Sequence, residues 1–162
     1  MFSSSTKTGK SPADSSSEML QVVLPNDTNP LGNALGGTVM HWIDLVAAIT
    51  AYRHSRRPVV TVSMDRLDFR APIRLGQIVH LKSQLHYVGR TSMEVGVDVF
   101  AEDPATGDQQ QTSSALVTYV ALNDAGQPTS VPPLVLTTDD ERARFNAARR
   151  RRQERGLSVA KP

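Results

Sequence analysis

Hydrophobic and polar positions change rhythm twice along the chain. From Gly37 to about His54 (GTVMHWIDLVAAITAYRH), Val39, Ile43, Val46, Ala47 and Thr50 recur at helical spacing, Ala is frequent and Pro is absent. Met40, Trp42, Leu45 and Ile49 fill most of the remaining circumference. A helix apolar nearly all round is expected to be buried on most sides, as the core helix. After Pro58 the period becomes two. Val60, Val62 and Met64 alternate with Thr61, Ser63 and Asp65, and the apolar parity then flips to Leu67 and Phe69, which predicts a bulge near Asp65. In the segment Ile78 to Val88, the residues Val79, Leu81, Leu85 and Tyr87 are expected on one face, opposite His80, Lys82, Gln84 and His86. A further strand runs from Ser92 to Phe100 and a last one from Thr112 to Leu122. Val88-Gly89-Arg90-Thr91 reads as a tight connection, and Asp103 to Asp108 as a hairpin turn. One buried helix followed by an antiparallel meander is an α+β arrangement. Long strands curling around one apolar helix would build the hotdog architecture.

Composition narrows the function classes. The 162 residues contain no Cys, which excludes a disulfide framework, a Cys-ligated zinc site and a thiol nucleophile. A net charge of +2 does not by itself imply nucleic acid or membrane binding. No apolar run reaches the roughly 20 residues needed to span a bilayer, and the first residues lack a secretory h-region, so a cytoplasmic location is expected. Residues 1–19 are Ser-rich and expected to be disordered. Residues 20–135 form the expected domain, and 136–162 a charged C-terminal helix and tail. Within the latter, residues 139–155 hold seven Arg and four acids. The acids come first and the Arg residues last, an order that favours a helix through its dipole. Arg149–Arg152 read either as a phosphate or nucleic-acid contact or as a solvated helix end, the latter favoured.

Asp44 sits in the middle of the most apolar helix, between Ile43 and Leu45. Burying an unpaired carboxylate costs on the order of 3 kcal/mol or more, so the residue needs a reason to be there. It can act as a general base or nucleophile at a cleft, or be satisfied by a core hydrogen bond or by solvent. His41, nearby on the same helix, is a possible partner or a plain exposed residue. Gly36-Gly37 opens the helix with unobstructed backbone N–H groups. Such a start can hold a carbonyl oxygen as it becomes negative, or can simply let the backbone pass close to a strand.

The pattern Asn29-x-x-Gly32-x-x-x-Gly36-Gly37-x-x-x-x-x-x-Asp44 resembles the acyl-CoA hydrolases of the hotdog thioesterase superfamily. It is similar in particular to the bacterial short acyl-CoA thioesterases and the cytosolic or brain-type acyl-CoA hydrolases. The likeness continues through Arg53-His54, Val59 to Asp65, Phe69-x-x-Pro72-x-x-x-Gly76, Val88 to Val95 and Val131-Pro132-Pro133, or about residues 22–135.

The resemblance implies hydrolysis of acyl-CoA to free CoA and a carboxylic acid. Asp44 takes the role of base or nucleophile, Asn29 orients water or the carbonyl, and the Gly36 and Gly37 amides polarise the thioester. Arg90, Thr91 and Ser92, with Val62 and Ser63, line the expected CoA path, and Arg57 is a lesser phosphate partner. The family's sites lie between paired subunits, with pairs commonly assembled into a trimer of dimers, so self-association is expected. No metal or cofactor is needed, because a thiolate leaves readily and backbone amides can hold the oxyanion. Two positions depart from the common pattern: Leu45 stands where many relatives have an acid, and Gln77 where many have Asp. The alternatives are a hydroxyacyl dehydratase, for which His41 with Asp44 is the candidate pair, and a non-catalytic acyl-CoA-binding protein.

Overall fold

The alternating segments pair into one five-stranded antiparallel sheet in the computed structural model, which describes residues 8–156. Its elements are β1 (Ser17–Val22), α1 (Gly36–Ser55), β2 (Val59–Phe69), β3 (Ile78–Val88), β4 (Ser92–Glu102), β5 (Gln109–Ala121) and α2 (Asp139–Glu154). The strand order is β1-β3-β4-β5-β2. Residues 1–7 and 157–162, the ends of the two expected tails, lie outside the described residues.

The sheet wraps around α1, as the hotdog reading expects. Val39, Ile43, Val46, Ala47 and Ala51 are buried against Val79, Leu81, Leu85, Val95, Val97, Val99 and Val117. The Thr50 hydroxyl lies 2.6 Å from the Ser83 hydroxyl, which also donates to the Val46 carbonyl, so the polar groups under the helix are satisfied. The expectation of burial on most sides needs correction. Met40, Leu45, Ile49 and Tyr52 are each 41–47% exposed and share one half of the helix. Val60 and Val62 on the edge strand β2 are also exposed.

Two further corrections concern the strands. A strand begins at Ser17, within the stretch 1–19 expected to be disordered, and pairs with β3 through Ser17–Ser83, Met19–Leu81 and Gln21–Val79. In β3 the register slips at His86, so Tyr87 lies opposite Glu94 instead of continuing the face of Leu85. Tyr87 therefore leaves the α1 side and stacks on Phe145 of α2, ring centroids 4.9 Å apart. The bulge expected near Asp65 is present: the β2 register shifts between Asp65 and Asp68, with Arg66 at φ 50°. A second shift lies at Val62, between Thr61 and Ser63.

The charged segment 139–155 folds as α2. Thr138 caps it by accepting from the Glu141 amide, while the Glu141 carboxylate accepts from the Thr137 and Thr138 amides. The helix lies across the face of the sheet remote from α1.

Candidate active site

Asp44 lies at the margin between the buried and exposed halves of α1, where β2 and β5 pass. Its Oδ1 accepts from Thr61 Oγ1 at 2.9 Å and from the Tyr119 hydroxyl at 2.7 Å. The same Tyr119 hydroxyl lies 2.9 Å from the Asp44 backbone carbonyl. Thr61 and Tyr119 are a cross-strand pair of β2 and β5, so one rung of the sheet aims both hydroxyls at the carboxylate. Oδ2 has no partner among the described residues. Burial raises the Tyr119 phenol well above its usual range, and the hydrogen bond to Asp44 and the carboxylate charge push the same way. The phenol therefore stays protonated and donates.

The segment before α1 is held in a tight loop. Asn29 Oδ1 accepts from the Leu31 and Asn33 amides at 3.0 and 3.2 Å, and Gly32 adopts φ 77°. The Ala34 amide donates to the Ile73 carbonyl and the Leu75 amide to the Gly32 carbonyl, which stitch the loop to the residues after β2. The Gly36 and Gly37 amides open the helix with no acceptor among the described residues. A Cβ on Gly37 would meet nothing within 4 Å, and one on Gly36 only the Phe69 ring at 3.6 Å. Crowding within the chain does not require either glycine, and the surface they leave bare is open to another molecule. Beside them a cavity of about 330 Å³ is lined by Ala34, Gly36, Val39, Phe69, Pro72 and Ile73.

Helix geometry separates these groups in one chain. Gly37 and Asp44 lie on the same side of α1 but seven residues apart, about 10 Å at 1.5 Å per residue. A single carbonyl must sit roughly 3 Å from both its oxyanion donors and its attacking group. The two cannot meet on one substrate within one copy.

The expected CoA residues divide. Val62, Ser63 and Ser92 come together in a cleft of about 190 Å³. Arg90 and Thr91 occupy the adjoining β3–β4 turn, Arg90 exposed. Arg57 stands apart, 4.0 Å from Asp124 across a solvated pair. His41 is exposed and makes no hydrogen bond to Asp44, whose Oδ1 is taken by Thr61 and Tyr119. Among the described residues no group of three or more His, Cys, Asp or Glu could hold a metal, and no helix is long and apolar enough to cross a membrane.

Sequence reasoning missed Thr61 and Tyr119 as partners of Asp44. Their signal was the polar residue at every second position of β2, which can be aimed only once the β5 register is known. The favoured solvated reading of the Arg149–Arg152 run is also corrected. Arg151 pairs with Glu94 at 2.5 Å, the Arg152 guanidinium lies 5.0 Å from the Tyr87 ring centroid, and Arg155 pairs with Asp65 at 2.7 Å.

Comparison with known proteins gives one consistent family. Residues 31–107 match the thioesterase superfamily model. The chain is 42% identical over 133 residues to the uncharacterized acyl-CoA thioester hydrolase YkhA of Bacillus subtilis, covering 82% of this chain and 77% of that one. It spans about a third (36%) of the length of the rat cytosolic acyl coenzyme A thioester hydrolase that it also matches. An acyl-CoA hydrolase from Staphylococcus aureus, solved with butyryl coenzyme A, coenzyme A and coenzyme A disulfide, superposes with a TM-score of 0.84 at 36% identity, covering 91% of this chain and 90% of that one. Ala variants of an Asp, an Asn and a Thr of that S. aureus enzyme have also been solved. An apo-hexameric acyl-CoA thioesterase superposes with a TM-score of 0.88 at 35% identity, covering 92% of this chain and 96% of that one. With its α+β hotdog fold and these relatives, the chain belongs to the thioesterase superfamily and, within it, to the acyl-CoA thioester hydrolases.

Proposed function

We propose that this chain hydrolyses acyl-CoA to free CoA and a carboxylic acid, at a site completed by two copies of itself. The observation that carries this reading is the Asp44 carboxylate, with one oxygen fixed by Thr61 and Tyr119 and the other without a partner among the described residues, at the margin of the exposed half of α1. Asp44 acts on the thioester carbonyl as base for water or as nucleophile. The negative oxygen that forms is held by the Gly36 and Gly37 amides, and the CoA thiolate leaves. Asn29, with its Oδ1 engaged by its own loop, has its amide NH2 to orient water or the carbonyl. No metal or cofactor takes part.

The two-copy site follows from the roughly 10 Å between Gly37 and Asp44 along one helix. A second copy related by a two-fold axis would run its helix antiparallel over Met40, Leu45, Ile49 and Tyr52, bringing its Asp44 to the first copy's helix start. That packing would also bury the apolar half of α1 that a lone chain leaves in water. The hexameric relative is in keeping with it. The apolar cavity beside Gly36 would take the acyl chain. Ser92, Val62 and Ser63, with the Arg90-Thr91 turn, would contact CoA, with Arg57 as an outer phosphate partner.

Release of free thiol from acyl-CoAs of increasing chain length, wild type beside Asp44→Asn, tests the reading. Wild type should turn over, and a folded Asp44→Asn should lose about 10²–10⁴-fold. Tight acyl-CoA binding with no hydrolysis at any length would instead make this a non-catalytic binding protein.

A further inference from the structure

One end of the molecule gathers more cations than the hydrolase reading uses. Arg56 closes α1, Arg57 leads into β2 and Arg90 stands in the β3–β4 turn. The end of β5 holds two of these segments beside it, the Ala121 amide donating to the Thr91 carbonyl and the Leu122 amide to the Pro58 carbonyl. The chain from Val131 to Pro133 then runs from Arg90, whose carbonyl accepts from the Val131 amide, to Lys10, whose amide donates to the Pro133 carbonyl. Lys10 Nζ in turn donates to the Arg53 and His54 carbonyls at the end of α1. Lys10, Arg53, Arg56, Arg57 and Arg90 thus share one rim. Two acids, Asp14 and Asp124, stand against these five cations, whereas the whole chain carries a net charge of only +2.

The crowding has a cost. Burial and the nearby Arg56 charge hold the Lys10 ammonium below its ordinary value. Arg56 itself adopts φ 53°, the left-handed conformation in which glycine usually ends a helix and other residues meet steric resistance. Its guanidinium and that of Arg90 have no partner among the described residues, and Arg57 reaches Asp124 only at 4.0 Å. A position better suited to glycine that holds a free cation instead points to a ligand outside the chain. A single phosphate calls for donors converging on one point. Arg57 and Arg90 instead flank β5 on opposite sides, two strand spacings or about 10 Å apart. Such a spread fits a broad acidic surface. The rim is also placed to feed the reacting carboxylate. Thr61, which donates to Asp44, follows Arg57 by four residues, about 13 Å at 3.3 Å per residue. That lies within the reach of an extended pantetheine arm. Resting on the hydrolase reading, we propose that the rim docks an acidic carrier protein that presents its acyl group as a thioester on a phosphopantetheine arm. Water adds to the acyl carbon, the C–S bond breaks, and the carboxylic acid and the carrier's thiol are released.

The test compares two thioesters of one acyl group, acyl-CoA and an acidic acyl carrier protein charged with it, on wild type and on Arg56→Glu. The expected result is a kcat/KM for the carrier lowered about tenfold by the substitution, and lowered again in wild type as salt rises from about 0.05 to 0.3 M. Acyl-CoA should stay within about twofold in Arg56→Glu. Arg56→Gly suits the left-handed conformation, so it should be no less stable than wild type and still cost the carrier about threefold. A merely structural role for Arg56 would not separate the two thioesters in this way. Arg142→Glu reverses as much charge on α2, where the native side chain pairs with Asp139, and should change neither substrate. Hydrolysis of acyl-CoA with none of the acyl carrier, or equal changes for both, would overturn the inference. Inhibition by a single-stranded oligonucleotide without carrier turnover would assign the rim to nucleic acid and overturn it too. Calorimetric titration with the uncharged carrier, its arm attached, needs no turnover. Binding by wild type that weakens about tenfold in Arg56→Glu supports the surface, and no binding by wild type overturns it. Absence of thiol release from either thioester would instead count against the hydrolase reading, so the two failures are distinguishable.

Discussion

α1 and α2 lie on opposite faces of one sheet and are attached to it by different forces. α1 buries Ile43, Val46, Ala47 and Ala51 completely, in a core that reaches across all of β3, β4 and β5. α2 buries only Phe145 and Ala148 among its apolar side chains, against Tyr87, and is otherwise held by Arg144 on Gln84, Arg151 on Glu94 and Arg155 on Asp65. Apolar burial does not depend on charge, whereas ion pairs respond to salt and pH, the half-exposed Arg155–Asp65 pair more than the largely buried Arg151–Glu94 pair. On the proposed hydrolase reading, Asp44 and the helix start have to hold their places to within a fraction of an ångström for a reacting carbonyl, which attachment by apolar burial provides.

The contrast can be broken at its strongest point first. Asp44→Asn should abolish nearly all thiol release while circular dichroism and oligomeric state stay those of wild type. Ile43→Ala, in the core under α1, should lower global stability by about 2–5 kcal/mol in denaturant titration. Phe145→Ala should instead speed amide exchange in α2 with little change in the α1 amides. A uniform change across both helices would mean they form one cooperative unit.

Acid should act on both faces. Burial holds His54, whose Nε2 donates to the Pro132 carbonyl at 2.8 Å, below the ordinary value of 6.5. Burial also takes His86 down to about 4, with the Arg144 and Arg151 charges of α2 acting in the same direction. The unfolded chain therefore binds more protons than the folded one between those values. This contribution to stability is whole above pH 6.5 and is lost as pH falls towards 4. A melting temperature that drops from pH 7.5 to 5, with a shallower drop in a folded His86→Gln, would confirm the sign. Tyr119→Phe removes one of two donors to Asp44 and should lower kcat by up to about tenfold, leaving KM nearly unchanged. Smallest of all, raising salt from about 0.05 to 1 M should loosen α2 measurably by amide exchange and leave α1 untouched.

The contrast between the helices also marks what could be read from the sequence. α1 and the three long strands β3, β4 and β5 announce themselves because their buried residues recur at 3.6 or 2 positions. β1 does not: Leu20 and Val22 face solvent while Ser17 is buried, an inverted pattern held in place by pairing with β3. The slip at His86 is equally silent, because Tyr87 is apolar enough to fit either face until α2 offers it Phe145. Asp44 stands out as a carboxylate in an apolar helix and the glycines as a pair at its start, although that crowding does not require them is read only from the structure. Their separation by two helical turns is also legible, since it needs only the helix rise. The Thr61 and Tyr119 contacts and the ion pairs of the α2 arginines depend on register and on where α2 docks, which are long-range properties.

The central claim is a site shared between copies, and mixing two inactive variants tests it most directly. In a two-fold pair, Asp44→Asn supplies an intact Asn29 loop and Asn29→Ala supplies an intact Asp44. After subunit exchange, half the pairs are mixed and one of their two sites is whole, so activity should return to about one quarter of wild type. Activity that stays at the level of the separate variants after verified exchange would place Asn29 and Asp44 in a site within one chain, and the two-copy account would be wrong.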